Sequence, residues 1–338
     1  MEAIPHDHTQ DTDEAGSLRD RLRLPAAGAF ILAAAACLTP WVGPPLALAL
    51  GVAFTLSVGN PLPRVTGPAT KPLLQASVVL LGFGMDLPAV LRVGAGGMAL
   101  AAATIALTTG LAVVLGRWLR VERTASQLIG SGTAICGGSA IAAVGGVIGA
   151  GGAAMTAAMG TVFVLNAAAL YLFPPLGHLL GLSQAQFGTW AGIAIHDVSS
   201  VVGAADVYGP EALEVATAVK LSRALWIVPV CLVAGFLHRR HLKRTGGAEA
   251  VAGGFAVPWF IGLFLLASVA RTLVPAVAAA APTLVHLAKG GLTLTLLFIG
   301  AGLSPAVLRR TGWRPMAQGV ILWVFISVLG LGVVMIGG

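Results

Sequence analysis

Hydrophobic residues in this chain come in runs of about 17–25, separated by short polar stretches, and runs of that length match the hydrocarbon thickness of a bilayer. Eleven such segments stand out, at roughly 26–42, 43–60, 71–91, 95–116, 125–149, 151–174, 185–205, 210–237, 255–275, 282–303 and 315–337. The pattern predicts an all-α polytopic membrane protein with about 11 transmembrane helices. Residues 1–24, MEAIPHDHTQDTDEAGSLRDRLRL, are polar and lack the cationic start and cleavage site of a secretory signal. They read as a disordered cytoplasmic tail ending in a basic anchor (Arg19, Arg21, Arg23), followed by one transmembrane domain over 25–338.

Composition agrees with the pattern. The chain is 57% hydrophobic and 10% charged, against about 25% charged in soluble domains. A soluble globular protein is excluded, because so few polar groups could not cover its surface. The net charge of +7 points to basic loops of a membrane protein rather than to nucleic acid. Cys37, Cys136 and Cys231 all lie in apolar segments, so no disulfide framework is expected. No cofactor or metal is expected either.

Basic residues set the orientation. Arg64 and Lys71 follow the second segment, Arg117, Arg120 and Arg123 the fourth, His238 to Arg244 the eighth, and Arg309, Arg310 and Arg314 the tenth. With the N-terminus inside and every segment crossing, all of these fall on the cytoplasmic side. The stretch holding Asp206, Glu211 and Glu214 then falls outside, as does the C-terminus. Arg92 is the exception.

Two internal echoes are visible. LLGFGMDLPAVLR (80–92) resembles FIGAGLSPAVLRR (298–310), in segments of opposite direction. That is the expectation for an inverted-repeat core. The fainter pair is GTAICGGSAIAA (132–143) and GIAIHDVSSVVG (192–203). Under full crossing these run parallel, so the second echo is either fortuitous or one segment is re-entrant.

The candidate chemistry sits in the same places. Gly132, Gly137 and Gly138 make a helix break easy in the middle of an apolar segment, with Thr133, Cys136 and Ser139 beside it. Unpaired backbone groups are tolerated at membrane depth only where protein or a water-filled cavity covers them. A half-helix starting near Gly138 would aim free N–H groups and a positive pole at an anion. His196 and Asp197, with Ser199 next to them, form an ionisable pair within an apolar segment and could carry H+ or Na+. Lys220 and Arg223 lie three residues apart on one helical face, where two cations call for an anion or a carboxylate. The bland alternatives are close helix packing for the glycines and snorkelling to an interface for the cations. Asn166 and Gln75 read as packing hydrogen bonds, Asp86 as an outer-interface residue, and Lys289 as a snorkelling one.

ICGGSAIAA, IHDVSSVV and EVATAVKLSR, in that order, resemble the YeiH-type bacterial inner-membrane proteins described as sulfate exporters, and the likeness covers the chain from about residue 25. A more distant similarity, in LGFGMDL and ICGGSA, is to the bile-acid/sodium symporter superfamily. The resemblance implies a polytopic inner-membrane carrier with Cys136, Gly137, Gly138, Ser139, His196, Asp197, Lys220 and Arg223 at its motif positions. Gly138 departs from the Ser common there. The expected function is secondary transport of a small anion such as sulfate, with H+ or Na+ as coupling ion and the bilayer as partner. Nucleic acid is not a partner, and a homodimer is compatible with the chain. An anion channel is the nearest variant. An intramembrane enzyme using Cys136, His196 and Asp197 is the other class. No GxxxxGK[ST], HExxH or GxSxG pattern occurs.

Overall fold

The computed structural model describes residues 25–85, 87–245 and 259–337; the N-terminal tail with its Arg19, Arg21 and Arg23 anchor, and Asp86, lie outside the described residues. All regular structure among the described residues is helical. In chain order the helices are α1 (Pro25–Ala36), α2 (Pro44–Ser57), α3 (Pro63–Gly82), α4 (Leu87–Trp118), α5 (Arg123–Ala134), α6 (Gly138–Val147), α7 (Gly152–Leu179) and α8 (Gln184–Ala194). They continue as α9 (Val198–Tyr208), α10 (Pro210–Ala224), α11 (Ile227–Thr245), α12 (Trp259–Leu273), α13 (Pro275–Gly302), α14 (Pro305–Thr311) and α15 (Trp313–Gly337). Proline opens α2, α3, α10, α13 and α14, where its missing N–H costs nothing. Among the described residues, five stretches are long and apolar enough to cross a membrane, α10 and α11 counting as one.

Both glycine- and polar-rich segments are broken, the first near Gly137 as the sequence predicts and the second at His196–Asp197, where the sequence predicts no break, and neither crosses. The α8–α9 segment is a hairpin that folds back on itself. The rings of Phe187 near its start and Tyr208 at its end stack with centroids 3.8 Å apart. The Tyr208 hydroxyl donates to the Leu182 carbonyl at 2.6 Å, and α10 begins alongside, with Glu211 N–H donating to Gln184 Oε1 at 3.0 Å. A continuous helix would hold Phe187 and Tyr208 about 30 Å apart. The α5–α6 segment folds back in the same way. Gly132 and Ile141 face each other across its arms, so closely that a Cβ on Gly132 would meet Ile141 Cδ1 at 2.8 Å. Val147, at the end of α6, touches Gly235 of α11. The next turns of α11, at Leu237 and Arg240, share a cavity with Arg123 and Gln127 at the start of α5.

The two hairpins come from opposite ends of the molecule. The α5–α6 root lies at the arginine-rich end, with Arg117, Arg123 and Arg240. Helix α7 leads from there to the other end, where Gly177 packs on Phe187 and Tyr208 at the root of α8–α9. Both tips end in the middle of the fold. The sequence-based path therefore changes at segments five and seven, which fold back rather than cross, and at α7, whose direction is the reverse of that drawn by charge counting. Two changes of parity cancel, so every segment after α9 keeps its assigned direction.

Inverted symmetry links these parts. The 80–92 and 298–310 echo falls on the α3–α4 and α13–α14 junctions. Helices α3 and α13 pack antiparallel, with Gly84 against Val285 and Gly291 against Leu73 and Ser77. The second echo becomes the two hairpins. Contacts repeat accordingly. Gly130 of α5 meets Ala112 of α4, and at the matching positions Trp190 of α8 meets Gly330 of α15. Helices α3, α4, α5–α6 and α7 thus correspond to α13, α14–α15, α8–α9 and α10–α11. Helix α13 also lies on α2, where Gly51 and Gly300 bring backbones into contact; a Cβ on Gly51 would sit 2.2 Å from the Leu297 carbonyl oxygen. Such closeness is how helices gain dispersion energy when surrounded by lipid.

Candidate functional site

The two hairpin tips meet. Gly137, between α5 and α6, has φ +63° and ψ −125°, a backbone state that glycine alone adopts without strain. A Cβ there would come 3.2 Å from the Asp197 Cβ and 3.2 Å from Val162 Cγ1. Thr133 Oγ1 and His196 Nε2 lie 3.2 Å apart across the tips. Asn166, in the middle of α7 and 1% exposed, holds the second tip in place. Its Oδ1 accepts from the N–H groups of His196 at 3.1 Å and Asp197 at 3.2 Å. These two amides lie at the break, where the helical ladder is interrupted.

Each half-helix end meets a different group. At α9, Asp197 is the N-cap: its carboxylate accepts from Ser199 N–H at 2.6 Å, Ser199 Oγ at 2.7 Å and Ser200 Oγ at 3.0 Å. A carboxylate at the positive end of a helix is favourable twice over, through hydrogen bonds and through the dipole. At the C-terminal end of α5 the carbonyls face cations. Lys220 Nζ donates to the Ile135 carbonyl at 3.4 Å. The Arg223 guanidinium donates to the Ala134 carbonyl and, at 2.7 Å, to Thr104 Oγ1. The N-terminus of α6 has no side-chain cap.

Lys220 and Arg223 are 0% and 1% exposed, so neither snorkels. Among the described residues no carboxylate lies within 4 Å of either. They belong to α10, whose arm is parallel to α8: Gly188 packs on Ala212, Val215 and Ala216, and Gly192 on Ala216 and Val219. This packing brings the next turn of α10 to the tips.

The structure gathers Thr133, Cys136, Gly137, His196, Asp197, Ser199, Lys220 and Arg223 into one buried cluster. Gly138 and Ser139 stand at its edge. Gly138 packs on Met159 and Phe163, and Ser139 is exposed on the outer face of α6. Lys289, read from sequence as snorkelling, pairs with Asp206 at 2.6 Å and ties α13 to α9. Cys136, His196 and Asp197 share the site without forming a relay: His196 Nε2 faces Thr133, and the Asp197 carboxylate is taken up by serines. Thr104 and Ser200 were not singled out from sequence. A hydroxyl in an apolar helix carries little signal, since it usually bonds its own backbone, as Thr104 also does to Leu100 at 2.9 Å.

Fold and site together define an all-α, multi-pass membrane protein built around an inverted pair of re-entrant hairpins whose tips enclose buried charge. The chain belongs to the family described as Conserved hypothetical protein 698, whose profile matches residues 24–319. Its UPF0324 relatives agree with the YeiH-type resemblance read from the motifs. A UPF0324 membrane protein of Bdellovibrio bacteriovorus is 46% identical over 309 residues, covering 91% of this chain and 94% of its own. One from Bacteroides thetaiotaomicron is 47% identical over 290 residues, 85% of each chain. One from Shewanella oneidensis is 42% identical over 321 residues, 94% of this chain and 98% of its own. Their names place them in membranes and state no activity. No solved structure matches the chain.

Proposed function

We propose that the protein is a secondary transporter of a small oxyanion of the sulfate class, bound between the two hairpin tips. The observation that carries this is Lys220. A fully buried ammonium has three N–H donors, and here one carbonyl at 3.4 Å answers them. Burying a cation with so few partners costs several kcal/mol unless an anion joins it. Arg223 adds a planar fork suited to two oxyanion oxygens. The uncapped N-terminus of α6 adds backbone N–H groups and a positive pole. Thr133 and Cys136 complete the lining.

Hairpins rooted at opposite ends support alternating access, since movement of either one opens the shared tip region toward its own side. His196, Asp197 and Ser199 are the proposed seat of the coupling ion, H+ or Na+. On the positive-inside rule the arginine-rich end is cytoplasmic and the membrane is the bacterial inner membrane. The test is counterflow in proteoliposomes: unlabelled sulfate inside, trace labelled sulfate outside. The reading expects saturable accumulation that Lys220→Gln or Arg223→Gln lowers at least tenfold. Flux that does not saturate and shows no counterflow means a channel instead. Wild-type counterflow in both variants removes the site.

A further inference from the structure

Asn166 has a second end. Its Oδ1 must be the atom that accepts the His196 and Asp197 amides, since a flipped side chain would set two N–H groups against an NH2. That leaves Nδ2, a buried donor bonded to the same carbon, with no hydrogen-bond partner among the described residues. Two more nitrogens at the tips share this condition, Arg223 Nε and His196 Nδ1. All three side chains are 1% exposed. Buried polar groups are rarely left unanswered in a folded protein. Three around one pair of hairpin tips mark a place for a ligand.

The position of Asn166 on α7 fixes what its free end faces. Val162, one turn earlier, touches Gly137, and Met159 and Phe163 touch Gly138. This face of α7 therefore lies along the break between α5 and α6, beside the uncapped start of α6. Gly137 stands between Val162 and Asp197, two residues beyond the Ile135 carbonyl that Lys220 uses. Lys220 and Arg223 reach the tips from α10, and Asn166 reaches them from α7. The acceptors nearby are engaged: the Asp197 carboxylate bonds serines, and the last carbonyls of α5 bond the two cations. An ionised oxyanion is acceptor only, which complements a lining of N–H groups.

We propose that Asn166 is a substrate-binding residue: its Nδ2 donates to an oxygen of the anion held by Lys220 and Arg223, while its Oδ1 holds the second hairpin tip. The inference rests on the tip site proposed above. One amide then ties occupancy of that site to the seating of the α8–α9 hairpin.

The chain has two asparagines, Asn60 and Asn166, so nitrogen-15 labelling of asparagine side chains gives two amide signals. Asn60 Nδ2 already donates to Thr66 Oγ1 at 2.8 Å and serves as the internal control; Asn60→Asp assigns the pair. Detergent-solubilised full-length protein is titrated with sodium sulfate by NMR and, in parallel, by calorimetry. The Asn166 amide protons should move downfield and saturate with the calorimetric affinity, while the Asn60 signal stays in place. Asn166→Asp keeps an oxygen for the tip amides and removes the donor. Sulfate should bind it roughly ten- to 150-fold more weakly, the worth of one hydrogen bond to a charged group. Hydrogen exchange over residues 195–200 should be no faster than in wild type. An Asn166 signal that stays still while sulfate binds overturns the proposal, and so does wild-type affinity in Asn166→Asp. If Lys220→Gln weakens sulfate in that case, the tip site stands and only the role of Asn166 falls. Unchanged affinity in both Lys220→Gln and Asn166→Asp removes the site and this inference with it.

Discussion

Replacing Asn166 with Leu should loosen the second hairpin tip while leaving the volume of the side chain nearly filled. One oxygen, Oδ1, accepts both tip amides, from His196 at 3.1 Å and Asp197 at 3.2 Å. Leu removes that acceptor and leaves two buried N–H groups without a partner. Each orphaned amide costs about 1–3 kcal/mol, so the tip loses about 2–6 kcal/mol of local stability, the lower end applying if water reaches it. A loss of about 2 kcal/mol is roughly a 30-fold rise in local opening. The readout is hydrogen exchange by mass spectrometry on a peptide covering residues 195–200, compared with one from α13. The α8–α9 peptide should exchange at least ~30-fold faster, with α13 unchanged. Asn166→Ala separates acceptor from volume: it loses the same acceptor but also leaves a cavity. Exchange within threefold of wild type in Asn166→Leu, with only Asn166→Ala fast, would mean that packing and not the shared acceptor holds the tip.

Gly137→Ala should lower thermal stability by at least about 1–2 kcal/mol, since an L-residue is forced to positive φ and the new Cβ presses on Asp197 and Val162; an unchanged melting midpoint removes the strain argument. In a background with Cys37, Cys136 and Cys231 replaced, an impermeant maleimide should label Gly149→Cys from the arginine-rich side and Gly181→Cys from the other; both positions are exposed. The reverse result refutes the hairpins. Lys289→Ala should cost under about 1 kcal/mol, because the pair with Asp206 is 38% and 25% exposed and screened; a larger loss would show that it clamps α9 to α13.

The apolar segments and the α5–α6 break are legible in the sequence because each has a direct chemical signature: run length for the first, clustered glycines at depth for the second. At α8–α9 the ionisable pair is legible, and the break itself is not. Nor is the fold-back of the two hairpins. The turns that reveal it are Ile148–Gly151 and Leu180–Ser183, and neither contains a charged residue. Charge counting has nothing to count there, so α7 is drawn backwards without any contradiction appearing, and the second parity change hides the first. The second echo looks parallel for the same reason. Asn166 is visible as a lone amide among apolar residues, but its partners are thirty residues away and set by packing. Ser139 shows the converse. It is next to the break in sequence, yet the first turn of α6 rotates it outward, while Thr104, far away in sequence, reaches Arg223.

The charges at the tips set a stoichiometry for the proposed transport. Two half-helices end there and two begin, with poles of about −0.5 and +0.5 each, so the dipoles cancel. What remains is Lys220 and Arg223, two cationic side chains, against the Asp197 carboxylate: counted at their ordinary charges, a net of one positive charge. A monoanion balances it. A dianion leaves one negative charge in excess, and one H+ or Na+ restores neutrality. Cotransport of a single cation with a dianion is the expectation, with Asp197 as the charge that creates the need for it. Asp197→Asn tests this with little structural cost, because Asn still accepts from Ser199 N–H as an N-cap. The variant's tips carry two positive charges, which a dianion neutralises unaided. Dianion flux in proteoliposomes should persist in Asp197→Asn and become insensitive to both pH and Na+ gradients at fixed membrane potential. Flux that persists with wild-type gradient dependence would place the coupling elsewhere in the protein.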